Sequence, residues 1–187
     1  MNYKSEYPGV IHFKKRNNLA YLTFDNPKTL NALSVDAFAS LNELFDQMGQ
    51  DDEILGVILT GAGRSFIAGA DLQDPNLKAS TPASMPPLNK REQLLYVHNT
   101  MNKIANFHRP TIAAINGYAL GGGAELSLCC DFRIASSKAK IGFPEGHLGG
   151  IPGYTGPTRA VRILGVTAAK LMIYTGKHFL AAEAKEL

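Results

Sequence analysis

The amino-acid sequence predicts an α/β fold, with residues 1–187 forming a single domain. Residues 19–25 have an alternating strand pattern, residues 34–50 have an amphipathic helical pattern, and residues 54–63 form an apolar run that ends in glycines. A crossover from a strand through a helix to a strand buried on both faces is typical of α/β proteins. The length of 187 residues is sufficient for one substantial hydrophobic core.

The composition limits the classes of partner. Hydrophobic residues make up 45% of the chain, charged residues make up 19%, and the net charge is +3. This basic excess is too small to favour nucleic acid as the principal partner, whereas an anionic small molecule is compatible with it. No stretch approaches the roughly eighteen apolar residues of a membrane span, and residues 1–18 lack the apolar region of a secretory signal. We therefore expect a cytoplasmic protein with no membrane partner.

The two cysteines are expected to have a packing role only. Cys129 and Cys130 are adjacent in a predicted helix, where their side chains diverge, so they cannot form an internal disulfide framework. We expect both to be small buried residues. The histidines have no metal-ligand spacing with one another or with the cysteines, and no metal is expected.

The N-terminal elements begin with a predicted hairpin. Residues 19–25 are rich in Tyr, Thr and Phe and form its second strand, while residues 10–18 supply the partner strand and the turn. A helix follows with Ser34 as its N-cap and with apolar residues at steps of three and four. The buried strand at residues 54–63 comes next.

The remaining elements continue the alternation. Residues 74–89 are rich in proline and have no apolar period, which indicates a loop. A helical pattern at residues 90–110 leads into a strand at residues 111–116, a glycine turn, a helix containing GGGAELSLCC, and a strand at FRIAS. Residues 156–165 and 167–176 predict short helices that each end at a glycine, and residues 180–187 predict the start of another helix.

The run Gly121, Gly122 and Gly123 precedes a helix that carries Glu125 in its first turn. The first N–H groups of a helix have no intrahelical partner and carry partial positive charge. Glycines there allow an anion, or a carbonyl oxygen that becomes anionic, to approach these donors. Taken alone, such a run favours a simpler interpretation, the close packing of a helix on a strand.

Nucleotide-binding motifs do not account for the glycines. The run lacks the Lys and Ser/Thr of a P-loop, and the sequence TGKH at residues 175–178 has His where a P-loop requires Ser or Thr. Gly61 and Gly63 begin a dinucleotide pattern, but Phe66 occupies the third glycine position. A G-x-S-x-G serine-hydrolase motif is also absent from the sequence. The functional alternative to close packing is an oxyanion site, where a carboxylate such as Glu125 suits acid/base chemistry next to an enolate.

Three stretches occur together in a fixed order. They are NPKTLNALS at residues 26–34, SFIAGADLQ at residues 65–73, and NGYALGGGAEL at residues 116–126 followed by FPEGHLGGIPG at residues 143–153. Together they resemble the enoyl-CoA hydratase/isomerase, or crotonase, family, and the resemblance extends from about residue 19 to residue 187. It implies the crotonase β-β-α spiral, a homotrimer or homohexamer, and a C-terminal helical region that this sequence does not include.

The resemblance also implies a substrate and a site. The backbone N–H groups of Ala70 and Gly122 match the donors that hold the thioester carbonyl oxygen of an acyl-CoA, and Glu125 and Glu145 match the two catalytic carboxylates. No separate cofactor is expected, since coenzyme A is part of the substrate. Its binding segment comprises Lys28, Ala32, Leu33, Ala68, Gly69, Ala70, Asp71, Leu72 and Gln73.

The presence of both glutamates favours reversible hydration of a 2-enoyl-CoA thioester to a 3-hydroxyacyl-CoA. Isomerases of the family often keep only the equivalent of Glu145. The alternatives are double-bond isomerisation, hydrolysis of a cyclic acyl-CoA, and a non-catalytic acyl-CoA-binding or RNA-binding role. Phe143, His147 and Tyr154 depart from the family pattern where the acyl pocket is expected, which points to a branched, cyclic or aromatic acyl group. For His147, a loop histidine satisfied by its neighbours is the favoured interpretation.

Overall fold

Two β-sheets form the frame of the protein. The computed structural model describes Tyr3, residues 10–78 and residues 87–187. Within these residues, the first sheet contains, in hydrogen-bonded order, β1 (Ile11–Arg16), β2 (Leu19–Phe24), β3 (Gly56–Gly61), β5 (Thr111–Ile115) and β7 (Phe132–Ala135). The second contains, also in hydrogen-bonded order, β4 (Ser65–Ile67), β6 (Tyr118–Leu120), β8 (Lys140–Gly142) and β9 (His178–Leu180).

The chain passes from one sheet to the other at each turn of a spiral. The strands β3, β5 and β7 of the first sheet are followed directly by β4, β6 and β8 of the second. Neighbouring strands are parallel, apart from the β1–β2 hairpin and the β8–β9 pair. The expected α/β class and the β-β-α spiral are therefore confirmed.

Helices connect the turns of the spiral and cover the sheets. They are α1 (Val35–Gly49), α2 (Pro75–Lys78), α3 (Pro87–Ala105), α4 (Gly122–Ser127), α5 (Gly156–Leu164), α6 (Val166–Thr175) and α7 (Ala181–Lys185), with short 3-10 turns at Pro27–Thr29 and Pro144–Leu148. The Ser34 hydroxyl accepts the Ala37 N–H at 3.1 Å and caps α1, as predicted. Among the described helices, none is long and apolar enough to cross a membrane.

The main core lies between the sheets and helices α1 and α3. The α1 residues Phe38, Leu41, Leu44, Phe45 and Met48 are buried at steps of three and four, so one face of the helix is apolar. A second, smaller cluster joins α4, α5 and α6 with Phe143 and Phe179. The two clusters lie on opposite sides of α4, because Leu126 belongs to the first and Ala124 to the second.

Two local predictions were wrong, and one set of short strands was missed. Helix α4 ends at Ser127, so Cys129 and Cys130 lie in the turn after it, although both are free and buried as expected. Residues 74–89 are not one loop, since α2 is a four-residue helix and α3 already begins at Pro87, whereas residues 79–86 lie outside the described residues. The three-residue strands of the second sheet were not predicted as separate elements, because such short segments carry no period.

Candidate active site

A single cavity of about 280 Å³ is lined by all four predicted catalytic positions, Ala70, Gly122, Glu125 and Glu145. They come from the segment after β4, from α4 and from the 3-10 turn after β8. The spiral brings these segments together because consecutive turns stack β4, β6 and β8 side by side. The parallel strands all end at the same edge of the second sheet, and the cavity lies there.

The backbone around Ala70 is oriented by pairing with Leu33. The Leu33 N–H donates to the Gly69 carbonyl at 2.8 Å, and the Asp71 N–H donates to the Leu33 carbonyl at 2.9 Å. In such a parallel bridge the residue between the two bonded groups directs its own N–H to the other side. Within the part of the chain that the structure describes, neither the Ala70 N–H nor the Gly122 N–H donates to a protein group.

Each glycine of the 121–123 run faces a different protein group. Gly121 has φ +51°, and a Cβ there would lie 2.7 Å from Glu145 Oε1. A Cβ on Gly122 would lie 3.0 Å from Tyr154 Cδ2, and one on Gly123 would lie 2.0 Å from the Ile67 carbonyl oxygen. The run thus combines close packing of a helix on a strand, at Gly123, with space for a carboxylate at the cavity, at Gly121.

Glu125 is buried in α4 and held by two backbone donors. Its carboxylate oxygen Oε1 accepts the Tyr154 N–H at 2.7 Å and the Gly156 N–H at 2.6 Å. The pKa of Glu125 is raised to about 7, mainly by burial and also by nearby Glu145, while the backbone N–H donors act in the opposite direction. Near neutral pH this carboxyl group therefore exchanges a proton readily.

Glu145 lies on the 3-10 turn Pro144–Leu148 and lines the same cavity as Glu125. Its Oε2 atom is buried and has no hydrogen-bond partner among the described residues. Burial also raises the pKa of Glu145. A buried carboxylate oxygen without a partner is unfavourable, and such atoms in folded proteins call for an explanation in terms of function.

The predicted coenzyme A segment is only partly at the cavity. Ala68, Gly69, Ala70 and Leu72 line it, whereas Lys28, Ala32, Leu33, Asp71 and Gln73 are not among its lining residues within the described part of the chain. These two stretches nevertheless lie side by side, because the Ala68 N–H donates to the Leu30 carbonyl at 3.1 Å. The Asn31 side chain donates to the carbonyl oxygens of Ala62 and Ser65, which ties the first motif to β4.

Of the three departures from the family pattern, Tyr154 alone lines this cavity. Its ring packs edge-on against Phe38, with centroids 5.3 Å apart. Phe143 is buried in the second core cluster instead, so its expected place in the acyl pocket was wrong. His147 is exposed and its Nε2 donates to the Thr175 carbonyl at 3.1 Å, which agrees with a loop histidine satisfied by a neighbour.

Sequence reasoning missed the backbone donors of residues 154 and 156 and the apolar mouth of the cavity. Leu148 and Ile151 line the cavity with 73% and 76% of their surface exposed. The signal available in the sequence was IPGYTGP, a glycine-rich stretch directly before a helix. In the part of the chain that the structure describes, no three His, Cys, Asp or Glu side chains approach closely enough to hold a metal ion.

The β-β-α spiral agrees with the comparison with known proteins. The chain matches the sequence model of the enoyl-CoA hydratase/isomerase family over residues 14–187, and it belongs to that family. This confirms the resemblance found in the three motifs.

Two curated relatives are each 38% identical to the chain. One is the short-chain-enoyl-CoA hydratase of Clostridium acetobutylicum, with 93% of this chain and 64% of that protein covered. The other is the crotonyl-CoA hydratase of Syntrophomonas wolfei, with 95% and 66% covered. The chain therefore spans slightly less than two thirds of the length of these relatives.

Solved structures show the same fold. The enoyl-CoA hydratase of Bacillus anthracis is 38% identical and superposes with a TM-score of 0.85, covering 95% of this chain and 67% of that one. Pseudomonas aeruginosa DspI is 30% identical and superposes with a TM-score of 0.88, covering 100% of this chain and 73% of that one.

Proposed function

We propose that the protein catalyses the reversible addition of water to a 2-enoyl-CoA thioester, which gives a 3-hydroxyacyl-CoA. The observation that carries this proposal is that Glu125, Glu145, Ala70 and Gly122 line one cavity, where the N–H groups of Ala70 and Gly122 have no protein acceptor among the described residues. The names of the two 38% identical relatives support a short enoyl group such as crotonyl. Leu72, Leu148 and Ile151 supply an apolar surface for it at the cavity mouth.

In the proposed reaction, the oxygen of a water molecule bonds to C3 of the substrate. The electron pair of the C2–C3 double bond then moves toward the thioester, and negative charge develops on its carbonyl oxygen. The N–H groups of Ala70 and Gly122 hydrogen-bond this oxygen, and the loss of one such donor typically costs ~3 to 4 kcal/mol of transition-state stabilisation. Their contribution is greatest in the transition state, where the charge is greatest.

The two glutamates move the protons. Glu125 orients the water and accepts one of its protons, and Glu145 delivers a proton to C2, so that the elements of water are added in total. This division requires one ionised and one protonated carboxyl group at the start of the cycle. The raised pKa of each group and the proximity of the two carboxyls support a pair that shares one proton near neutral pH.

The test is turnover of crotonyl-CoA. We expect the absorbance of the conjugated thioester to fall on addition of the protein, and we expect 3-hydroxybutyryl-CoA to be the product. Glu145→Gln should slow this change by ~10²- to 10⁴-fold while the protein still binds coenzyme A. A product with a moved double bond would identify an isomerase, free coenzyme A would identify a hydrolase, and unchanged crotonyl-CoA despite tight binding would support a non-catalytic member.

We also propose that the protein acts as a homotrimer or homohexamer in the cytoplasm. Exposed apolar residues on β7 and α6, including Phe132, Ile134 and Tyr174, support self-association. Light scattering should give a mass three or six times that of the 20.2 kDa chain. A monomeric mass at micromolar concentration would contradict this part of the proposal.

A further inference from the structure

The loop that holds Glu125 has an unusual conformation at its centre. Tyr154 and Gly156 both donate their N–H groups to Glu125 Oε1, and Thr155 lies between them with φ +79°. Left-handed backbone is uncommon for a β-branched residue such as threonine. It is also the conformation that lets N–H groups on either side of a residue converge on one anionic oxygen.

Arg159 on α5 supports this conformation through the Thr155 side chain. Its Nη1 donates to Thr155 Oγ1 at 2.6 Å, and its backbone N–H donates to the Thr155 carbonyl at 3.2 Å. The Nη2 atom of the same guanidinium donates to Asn102 Oδ1 on α3 at 2.9 Å. Arg159 thus links Thr155 to Asn102 on α3, which lies 57 residues before Arg159 in the sequence.

The same helix also contacts the beginning of the loop. His98 Nε2 lies 2.7 Å from the Gly153 carbonyl oxygen, and this nitrogen is the donor because a carbonyl oxygen only accepts. His98 and Asn102 are four residues apart on α3 and therefore lie on one face of the helix. One face of α3 consequently fixes the loop on both sides of Tyr154.

We propose that His98 and Asn102, with Arg159 as the link, are positioning residues that fix the carboxylate of Glu125 by holding Thr155 in its left-handed conformation. None of the three is part of the cavity lining in the described residues, and their effect passes through the backbone of residues 153–156. When these contacts are removed, Thr155 relaxes toward a common backbone conformation. The two N–H groups then diverge, and Glu125 loses donors that stabilise its charged form. The catalytic meaning of this arrangement rests on the proposed hydratase function.

The groups around Glu125 determine how the test is read. Glu145 lines the same cavity and disfavours the ionisation of Glu125, whereas the loop N–H groups favour it. Arg159 carries a positive charge and hydrogen-bonds Thr155, so its removal would change the local charge as well as the geometry. Asn102→Ala removes a contact without removing a charge, and Thr155→Val removes the acceptor of Arg159 without changing the shape of the side chain.

The decisive measurement is the pKa of the Glu125 carboxyl group, followed by carbon-13 NMR and assigned with Glu125→Gln. We expect His98→Ala, Asn102→Ala and Thr155→Val each to raise it. Thr155→Ser keeps the hydroxyl, and Asn99→Ala changes an exposed residue on the same helix, so both should match wild type. In crotonyl-CoA turnover the three disruptive variants should lower kcat by about tenfold with little change in KM, and should move the acid limb of the kcat profile to higher pH.

A glycine variant separates positioning from general damage to the fold. Glycine adopts the left-handed conformation without support, so adding Thr155→Gly to Asn102→Ala should return the pKa of Glu125 toward the wild-type value. An unchanged pKa in both His98→Ala and Asn102→Ala would overturn the proposal, as would a failure of the glycine variant to restore it. A wild-type protein without hydratase activity would refute the proposed function instead, because the NMR comparison does not depend on turnover.

Discussion

Glu125 and Glu145 line the same cavity, but the protein surrounds their carboxyl groups differently. Glu125 accepts two backbone N–H groups on one oxygen and sits on a helix. Glu145 sits on a short 3-10 turn, and its Oε2 has no partner among the described residues. The first carboxylate is fixed by the fold, and the second keeps an oxygen available for a ligand. This difference suits the proposed roles, in which Glu125 orients the water and Glu145 transfers the proton at C2.

The largest effect is expected for Glu145→Gln, because the amide cannot deliver or accept the proton at C2. We expect kcat to fall by ~10²- to 10⁴-fold, the usual contribution of a positioned acid or base. The free energy of unfolding should not decrease, since the amide carries no charge to bury and Glu145 Oε2 has no hydrogen bond to lose among the described residues. Steady-state kinetics and urea unfolding measure the two quantities. Glu186→Gln, which changes an exposed side chain, is the control, and a kcat equal to that of the control would contradict the role of Glu145.

A second prediction concerns stability and pH at Glu125. Its pKa is raised from 4.5 to about 7 in the folded protein, so the folded state holds an extra proton between these values. The free energy of unfolding therefore falls as pH rises from about 4.5 to about 7, by on the order of 3 kcal/mol for this group. Glu125→Gln removes the titration and should flatten that part of the curve. Urea unfolding across this pH range tests it, and equal slopes in the two proteins would refute it.

Two glycine variants test the two carboxyl groups one at a time, because each variant adds a methyl group beside one of them. A Cβ on Gly156 would lie 2.5 Å from Glu125 Cγ, whereas a Cβ on Gly121 would meet Glu145 Oε1. Gly121→Ala should also destabilise the fold by about 1–3 kcal/mol, because residue 121 has positive φ. We expect both variants to lower kcat, and only Gly156→Ala to shift the pKa of Glu125 strongly.

The control for this pair is Gly153→Ala. A Cβ on Gly153 would meet nothing within 4 Å, although this residue belongs to the same loop as Gly156. It should match wild type in urea unfolding, and because Gly153 lines the cavity and contacts His98, any fall in kcat should be small beside that of Gly156→Ala. Equal losses in Gly153→Ala and Gly156→Ala would show that the loop tolerates no side chain at all, against the specific contact with Glu125.

The smallest effect is expected for Tyr154→Phe. Burial raises the pKa of the Tyr154 hydroxyl to about 12, so it stays neutral near pH 7, and the phenylalanine ring keeps the contact with Phe38. The free energy of unfolding should change by less than ~0.5 kcal/mol, as for most substitutions that leave packing intact. We expect kcat to remain within ~3-fold of wild type. A larger fall in kcat would show that the Tyr154 hydroxyl takes part in the reaction. It would contradict the assignment of the chemistry to Glu125 and Glu145 alone.

The strong local signals of the sequence were sufficient for most of the fold. The N-cap at Ser34, the apolar period of α1, and the continuous run that became β3 were all recognisable, because each is encoded in adjacent residues. The strands β4, β6 and β8 were not, since each has three residues and pairs only with strands from other turns of the spiral. The three motifs that resemble the enoyl-CoA hydratase/isomerase family implied the spiral, which the hydrophobic periodicity did not indicate.

The sequence by itself determined that the chain carries Glu125 and Glu145, the glycine run at residues 121–123, and the three motifs of the enoyl-CoA hydratase/isomerase family. Tertiary structure alone decided that Glu125 accepts the N–H groups of residues 154 and 156, whereas Glu145 Oε2 has no partner in the described part of the chain. It also decided that Phe143 packs into the core and Tyr154 reaches the cavity. The physical reason is that these hydrogen bonds and this burial join segments about thirty residues apart, so they depend on how the turns of the spiral stack. A pattern among neighbouring residues contains no information about that stacking.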